Sequence, residues 1–504
     1  MTGNAATYFV DRHLEEGRAE KPAFIEADGD KRCLTYGELA AQSAQFAGAL
    51  TRDGVRREER IAMIVRDQIE FPVIFWGALK AGVIPVPLNT LLSPEVYANI
   101  LKDSRATVLF VSARMWEVVA PAARDAPVLH KIVIIGDAPD GTQSYDAFVR
   151  DAPVADTVEA NEDELAFWLY SSGSTGLPKG VRHVHGALRA TCNTFGDQVL
   201  GLREDDMVYS VAKMFFAYGL GNAMSFPMAR GATTILFGGR PTPDAVFDIL
   251  RDHRPTILCA VPTLFAAMLA AIDEPLDHNL RICTSAGEAL PRDVGEGWHR
   301  LTGVEIVDGV GSTEMLHIFL SNRPGDCVYG TSGMAVPGYD LRLVDEAGAD
   351  VADGEVGELL VRGPSSAEGY WNRREKSQAT FEGHWTRTGD KYEHKDGRYI
   401  YCGRTDDMFK VSGIWVSPFE VEQALVDHPA VLEAAVVARP DEAGLEKPAA
   451  FVVLKDSAGP LDVETLKEMV KSKIGMWKYP RWVDVVEDLP KTATGKIQRF
   501  KLRA

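Results

Sequence analysis

Between residues 61 and 135 the hydrophobic positions fall in short, unbroken runs at 61–65, 83–86, 107–111 and 132–135. Runs of four or five apolar residues predict strands buried on both faces. Between them, 68–79 and 94–102 carry apolar residues at helical spacing, so helices are predicted to cover a mostly parallel sheet. The same rhythm returns at 208–211, 233–237, 257–261, 281–284 and 305–307. Two doubly wound sheets, or one large interrupted one, are implied.

Past residue 325 the rhythm changes to short strands punctuated by glycine, at 339–344, 357–361 and 399–401. This predicts a barrel-like antiparallel subdomain. After Arg404 the pattern restarts as a small α+β unit, with helices at 418–427 and 463–473 and strands at 431–438, 449–454 and 482–486. The chain of 504 residues exceeds the size at which one core stops growing. The predicted division is a large α/β domain over 1–405 and a small, mobile α+β domain over 406–504.

Composition alters this picture little: 46% hydrophobic and 25% charged residues are ordinary for a globular protein. A net charge of −18 excludes a nucleic-acid binder that relies on a general basic surface, and leaves any anionic ligand dependent on local basic groups. Residues 1–20 carry mixed charges and no apolar core of a signal peptide, which predicts a cytoplasmic chain. The apolar stretch 71–88 is broken by Lys80, Pro72, Pro85 and Pro87, and predicts a buried helix, turn and strand in place of a membrane span. The six cysteines are scattered without a C-x-x-C pair, which favours reduced thiols over zinc ligands.

One segment stands out against the strands. Ser171, Ser172, Gly173, Ser174, Thr175, Gly176, Leu177, Pro178, Lys179 and Gly180 follow the apolar run 166–170, and an apolar run resumes at 181–185. Small residues, hydroxyls and one lysine make a donor-rich concavity suited to phosphate oxygens. The spacing differs from the mononucleotide loop Gly-x4-Gly-Lys-Ser/Thr, because Pro178 stands five residues after Gly173 and Gly180 follows Lys179. On composition alone the same ten residues also suit a mobile linker.

Five further segments sit where ligand loops are expected. Lys213 through Asn222 place Phe215, Phe216, Ala217, Tyr218, Gly219 and Gly221 after a strand, either as a wall for a flat apolar group or as an aromatic helix start in the core. Gly287, Glu288 and Ala289 occupy a strand-to-helix turn, where glycine allows close backbone approach. Asp308, Gly309, Val310, Gly311, Ser312, Thr313, Glu314 and His317 end a later strand, and Glu314 suits a Mg²⁺ ion shared with phosphates. Asp390 and Arg404 to Gly413 group carboxylates with glycines, as ribose sites do, although each alone is also an ordinary turn. The tail 490–503 holds five basic residues and no acid, either a local anion site or a solvated end.

The run 170–180 resembles the phosphate loop of the adenylate-forming superfamily, which includes acyl- and aryl-CoA ligases, luciferases and peptide-synthetase adenylation domains. The other segments follow in that superfamily's order across nearly the whole chain. Within it, Phe215 to Gly221, Asp308 to Phe319 and Lys491 to Lys496 most resemble aryl-CoA ligases of the benzoate type.

The resemblance implies an ATP-dependent acid-thiol ligase in aromatic compound degradation, a monomer or homodimer. It would activate benzoate or a substituted benzoate as acyl-AMP, then pass the acyl group to CoA. Loop residues Ser171 to Gly176 and Lys179 would hold the β and γ phosphates, Thr313 the α-phosphate and Glu314 the Mg²⁺. Asp308 and Gly309 would meet adenine, flanked by Gly287, Glu288 and Ala289, and Asp390 with Arg404 would hold the ribose. Most relatives place an aromatic residue at Val310, and benzoate-type ligases share this departure. Lys496 would bridge the carboxylate and α-phosphate. Rotation about Asp406 would then bring Lys410 and Gly413 to the second half-reaction, with Gly413 at the CoA tunnel.

Phe216, Ala217, Tyr218, Gly219, Gly311, His317 and Ile318 would line the acyl pocket. No acidic residue lies between Lys213 and Gly221, which speaks against an amino-acid substrate. His317 suits either a ring-hydroxyl contact or a structural role. Two alternatives remain at this point: a stand-alone adenylation enzyme loading carrier-protein pantetheine, and a catalytically silent nucleotide-binding sensor.

Overall fold

The computed structural model describes residues 3–171, 178–272, 276–411, 414–442, 445–455, 461–491 and 497–503. The chain divides into two compact units, one of Met1–Leu341 with Val361–Arg387, the other of Arg342–Leu360 with Thr388–Ala504.

Among the described residues the first unit contains two large sheets. The smaller, in the order Ile84–Pro87, Arg60–Ile64, Val108–Ser112, Lys131–Ile135, Gln143–Ser144, is parallel throughout. The larger has nine strands, of which Ile306–Gly311, Ile282–Ser285, Ile257–Ala260, Met207–Ser210, Thr233–Leu236 and Pro22–Glu26 run parallel. Antiparallel strands close both edges, Cys33–Thr35 at one and Ile318–Ser321 with Met334–Ala335 at the other. Strands Thr233–Leu236, Ile257–Ala260 and Ile282–Ser285 are buried throughout, on both faces, and carry apolar or small hydroxyl residues without alternation.

Residues 22–52, on which the hydrophobic pattern is silent, supply the strand Pro22–Glu26, the edge strand Cys33–Thr35 and the helix Tyr36–Arg52. Thr35 and Glu38 form a reciprocal capping box at its start, each side chain bonding the other's backbone N–H. The apolar stretch 71–88 is the buried helix Glu70–Lys80 followed by the strand Ile84–Pro87. Lys80 is itself buried and paired with Asp11. Among the described residues no helix is long and apolar enough to cross a membrane.

In the second unit, residues from Asp390 to Lys395 pair antiparallel with Arg398 to Arg404. The C-terminal part is α+β: Val431–Pro440 lies antiparallel to Glu446–Leu454, which pairs parallel with Trp482–Val485. Helices Pro418–Val426 and Val463–Ile474 cover this sheet through Val421, Leu425, Leu466 and Val470.

Candidate active site

The donor-rich segment is the tip of an antiparallel hairpin, Leu165–Ser171 against Lys179–Val184. Ser171 stands opposite Lys179, so the last backbone pair fixes both stems of the loop. Ser172, Gly173, Ser174, Thr175 and Gly176 lie outside the described residues. A third strand, Gly369–Tyr370, pairs with Arg182 and Val181 and carries Tyr370 to the hairpin. Lys179 Nζ lies 4.4 Å above the Tyr370 ring and 3.5 Å from its hydroxyl. That hydroxyl donates to Glu314 Oε1 at 2.8 Å, and Ser171 Oγ approaches the same oxygen at 3.4 Å. The hairpin base and the predicted metal ligand are therefore one cluster.

Glu314 and Thr313 belong to a tight turn between Ile306–Gly311 and Ile318–Ser321. Leu316 N–H donates to Thr313 O at 3.1 Å and His317 N–H to Met315 O at 2.7 Å. Leu316, buried and non-glycine, holds φ at +63°. Such a conformation persists only where surroundings over-determine it. Here Ala367 N–H donates to Glu314 O at 2.9 Å and Ser365 Oγ to Met315 O at 2.7 Å, both from the segment that delivers Tyr370.

Asp308 is buried on the strand Ile306–Gly311, and its Oδ1 has no hydrogen-bond partner among the described residues. Burial holds its carboxyl well above the usual range, offset in part by N–H groups of Leu290 and Gly309. An acceptor in this state suits a ligand N–H donor. Gly287 holds φ at +97°, and nothing stands within 4 Å of the position its side chain would take. Glu288, Ala289 and Val310 are half-buried beside these segments. At Gly309 a Cβ would meet Ile318 Cγ2 at 2.8 Å, so this glycine serves strand packing.

The aromatic segment enters the helix Ala217–Leu220 after Phe216, whose ring lies 4.5 Å from that of Phe215. Phe216, Ala217 and Tyr218 are half-buried. The Tyr218 and His317 rings are 5.6 Å apart, and His317 also packs on Phe226 at 4.4 Å and Phe195 at 5.2 Å. The structure thus brings the two predicted acyl segments together. Ile318 is buried, and Gly219 and Gly311 sit where no side chain fits: a Cβ would stand 2.0 Å from Lys213 O or 2.5 Å from His317 O respectively.

His317 is 2% exposed, and burial lowers its pKa to about 3. The ring is therefore neutral near pH 7. Its Nε2 lies 3.3 Å from the Tyr218 carbonyl, which only accepts, so Nε2 carries the proton and Nδ1 is the free acceptor.

In the second unit Asp390 and Arg404 face each other in register and pair at 2.9 Å. Gly389, at φ +71°, leaves room for that guanidinium, since a Cβ would lie 2.9 Å from an Arg404 terminal nitrogen. Lys410 is exposed and lies 3.2 Å from Glu346. Gly413 and Lys496 lie outside the described residues. The basic tail is neither a free anion site nor a merely solvated end along its described part. Arg499 pairs with Glu422 at 2.6 Å and Asp407 at 3.4 Å, while Arg503 reaches Asp407 at 2.5 Å and the Asp406 carbonyl at 3.2 Å.

Residues 10–371 match the family model of the AMP-binding enzyme, and residues 420–496 match that of the AMP-binding enzyme C-terminal domain. The chain belongs to the AMP-binding enzyme family. Among members of this family it is 54% identical to a 4-hydroxybenzoate–CoA/benzoate–CoA ligase of Rhodopseudomonas palustris, over 99% of this chain and 94% of that protein. It is 52% identical to a benzoate–CoA ligase of Thauera aromatica, over 99% and 96%. The solved structure of a benzoate CoA ligase from Burkholderia xenovorans is similar at a TM-score of 0.91 and 48% identity, covering 99% of this chain and 100% of that one. The expected superfamily and α/β architecture are both borne out.

Two features of this cluster have little or no local signature in the sequence. Tyr370 reaches Glu314 through a strand of two residues, and its only local signal was an aromatic pair after Gly369. Leu316 carries no glycine or asparagine signature for its left-handed backbone.

Proposed function

We propose that this chain is an ATP-dependent aryl-CoA ligase that activates benzoate or a substituted benzoate. A carboxylate oxygen of the acid attacks the α-phosphorus of ATP, and pyrophosphate leaves. The CoA thiol then attacks the acyl carbon of the mixed anhydride, and AMP leaves. The reading is carried by the turn Thr313 to His317, which presents Glu314 to the phosphate hairpin and His317 to the aromatic segment within a few residues.

The first step joins two anions, so the protein must offset charge and fix geometry. Lys179 and the hydroxyl and N–H donors of the loop from Ser171 to Gly176 would take the β and γ phosphates, with Thr313 at the α-phosphate. Asp308 would accept from the adenine amino group beside Gly309, Gly287, Glu288 and Ala289, while Asp390 and Arg404 would hold the ribose. The half-buried Glu314 carboxylate, beside two hydroxyls, fits an ion held by one carboxylate and substrate phosphates. Mg²⁺ bound there would supply positive charge against the developing pyrophosphate.

Lys496 would bridge the aryl carboxylate and α-phosphate in the first step. Asp406, at the start of the domain 406–504, would act as the hinge that exchanges Lys496 for Lys410 and the Gly413 segment in the second. Phe216, Ala217, Tyr218, Gly219, Gly311, His317 and Ile318 would bound the aryl slot, and the neutral His317 favours an uncharged ring over an ammonium or second carboxylate. We place the enzyme in the cytoplasm, where ATP and CoA are supplied.

A panel of benzoate and its hydroxy, amino, methyl and halo derivatives, assayed for AMP release with and without CoA, tests this reading. AMP release that requires both an aryl acid and CoA is expected. Pyrophosphate release without thioester formation would overturn the CoA half, and silence with every acid would overturn the whole.

A further inference from the structure

Asp67 lies just beyond the strand Arg60–Ile64, 4% exposed, where burial raises its carboxyl pKa. A buried carboxylate is costly unless its partners repay desolvation. Among the described residues, the N–H that bonds it and the ammonium that pairs with it belong to one turn. Met214 N–H donates to Asp67 Oδ1 at 3.1 Å, and Lys213 Nζ stands 3.9 Å from Oδ2. Lys213 Nζ also donates to the Phe237 carbonyl at the exit of the strand Thr233–Leu236. The next residue, Gly238, is fixed from both sides: Arg66 Nε donates to its carbonyl, and its N–H donates to Asp28 Oδ1, each at 2.9 Å.

Lys213 and Met214 immediately precede the aromatic residues of the slot. The Lys213 carbonyl accepts from Phe216 N–H at 3.0 Å, and it is the atom that leaves no room for a side chain at Gly219. A displacement of Lys213 therefore moves both ends of the segment bearing Phe216, Ala217 and Tyr218.

We infer that Asp67 and Lys213 are a positioning pair for aryl-acid recognition: Asp67, anchored beside the five-stranded sheet, fixes through Met214 and Lys213 the turn that presents Phe216 to Gly219. Neither side chain is a catalytic residue, and neither is required to touch the substrate. The inference rests on the aryl-CoA ligase reading, and it assigns to these two residues the pre-formed shape of the slot, which lowers the ordering cost of binding.

The test is steady-state kinetics of the full chain, varying benzoate at saturating ATP and CoA, then ATP at saturating benzoate. Asp67→Ala leaves Met214 N–H buried without its acceptor, and is expected to raise the KM for benzoate about tenfold while the KM for ATP stays within about twofold. Asp67→Asn retains an oxygen for Met214 and should recover most of that loss. Lys213→Met keeps the aliphatic stem, removes the ammonium, and should raise the benzoate KM alone; it decides the matter if Asp67→Ala does not fold. A merely structural role predicts a lower melting temperature with both KM values unchanged. That result, an equal rise in both KM values, or Asp67→Asn no better than Asp67→Ala, overturns the positioning role. If the unaltered chain releases no AMP with any aryl acid, the functional reading falls and this inference with it; normal turnover with unshifted variants removes this inference alone.

Discussion

The Tyr370 hydroxyl donates to Glu314 Oε1 at 2.8 Å while Lys179 Nζ sits 4.4 Å above the Tyr370 ring. One phenol thus links the hairpin lysine to the carboxylate proposed to hold Mg²⁺. Tyr370→Phe keeps the ring beneath Lys179 and removes only the donor. A hydrogen bond to a charged group contributes about 1.5–3 kcal/mol, so kcat is expected to fall by about tenfold or more, with a higher Mg²⁺ requirement. Measured kcat across a Mg²⁺ titration checks this. An unchanged curve would show that Glu314 holds its place without Tyr370.

Gly221 abuts the His317 ring: a Cβ there would stand 2.4 Å from Cδ2 and 2.7 Å from Nε2. His317 is wedged between Phe226, Phe195 and Tyr218 and has little space in which to retreat. Overpacking of this kind costs about 1–3 kcal/mol. Gly221→Ala is expected to displace the imidazole, raise the KM for the aryl acid and change its order of preference among ring-substituted acids. The KM for ATP should hold. A substrate profile identical to that of the unaltered chain would detach His317 from the slot.

How far the site could be read beforehand depended on how local its determinants are. Unbroken apolar runs such as 61–65 and 257–261 mark central strands because burial on both faces leaves no alternation. The helix Tyr36–Arg52 escaped because much of its buried face is alanine, a weak hydrophobic signal. Asp308 was legible as a residue type at a strand end, whereas its burial and its unmet Oδ1 appear only in the folded structure. The role of Tyr370 was not legible, since it reaches Glu314 by pairing with a hairpin far away in sequence. Non-local pairing and a strained backbone leave no periodic trace.

His13, His183 and His317 are buried, and burial first of all lowers each pKa to about 3 from 6.5. The unfolded chain therefore binds more protons than the native one between pH 6.5 and 3. Stability is fully present above pH 6.5 and is lost as pH falls through that window, each histidine contributing a slope approaching about 1.4 kcal/mol per pH unit. Urea midpoints at pH 7.5 and 5.0 should show this decline. His183 stacks on Phe167 at 5.2 Å, so His183→Phe preserves an aromatic pair and should flatten the decline by about one proton's worth. An unchanged slope would mean that His183 protonates without unfolding.

On the proposed function, Lys496 and Lys410 would divide the two half-reactions by the charge each has to meet. In the first, a carboxylate approaches an α-phosphate, and a lysine bridging both anions lowers the barrier directly. In the second, the acyl-AMP is already formed and a thiol attacks carbon, so that lysine has no developing phosphorane to stabilise. Lys496→Ala should therefore lose aryl-dependent pyrophosphate exchange by a factor on the order of 100 or more, yet keep thioester formation from presynthesised aryl-AMP and CoA near its original rate. Lys410→Ala should show the reverse preference. The tie of Arg499 to Glu422 and Asp407 anchors the described residues just after Lys496 to the second unit's own framework, so removing the Lys496 side chain leaves that anchor in place. Equal loss of both half-reactions in Lys496→Ala would sink the exchange of lysines between steps and require one arrangement of the two units to perform both.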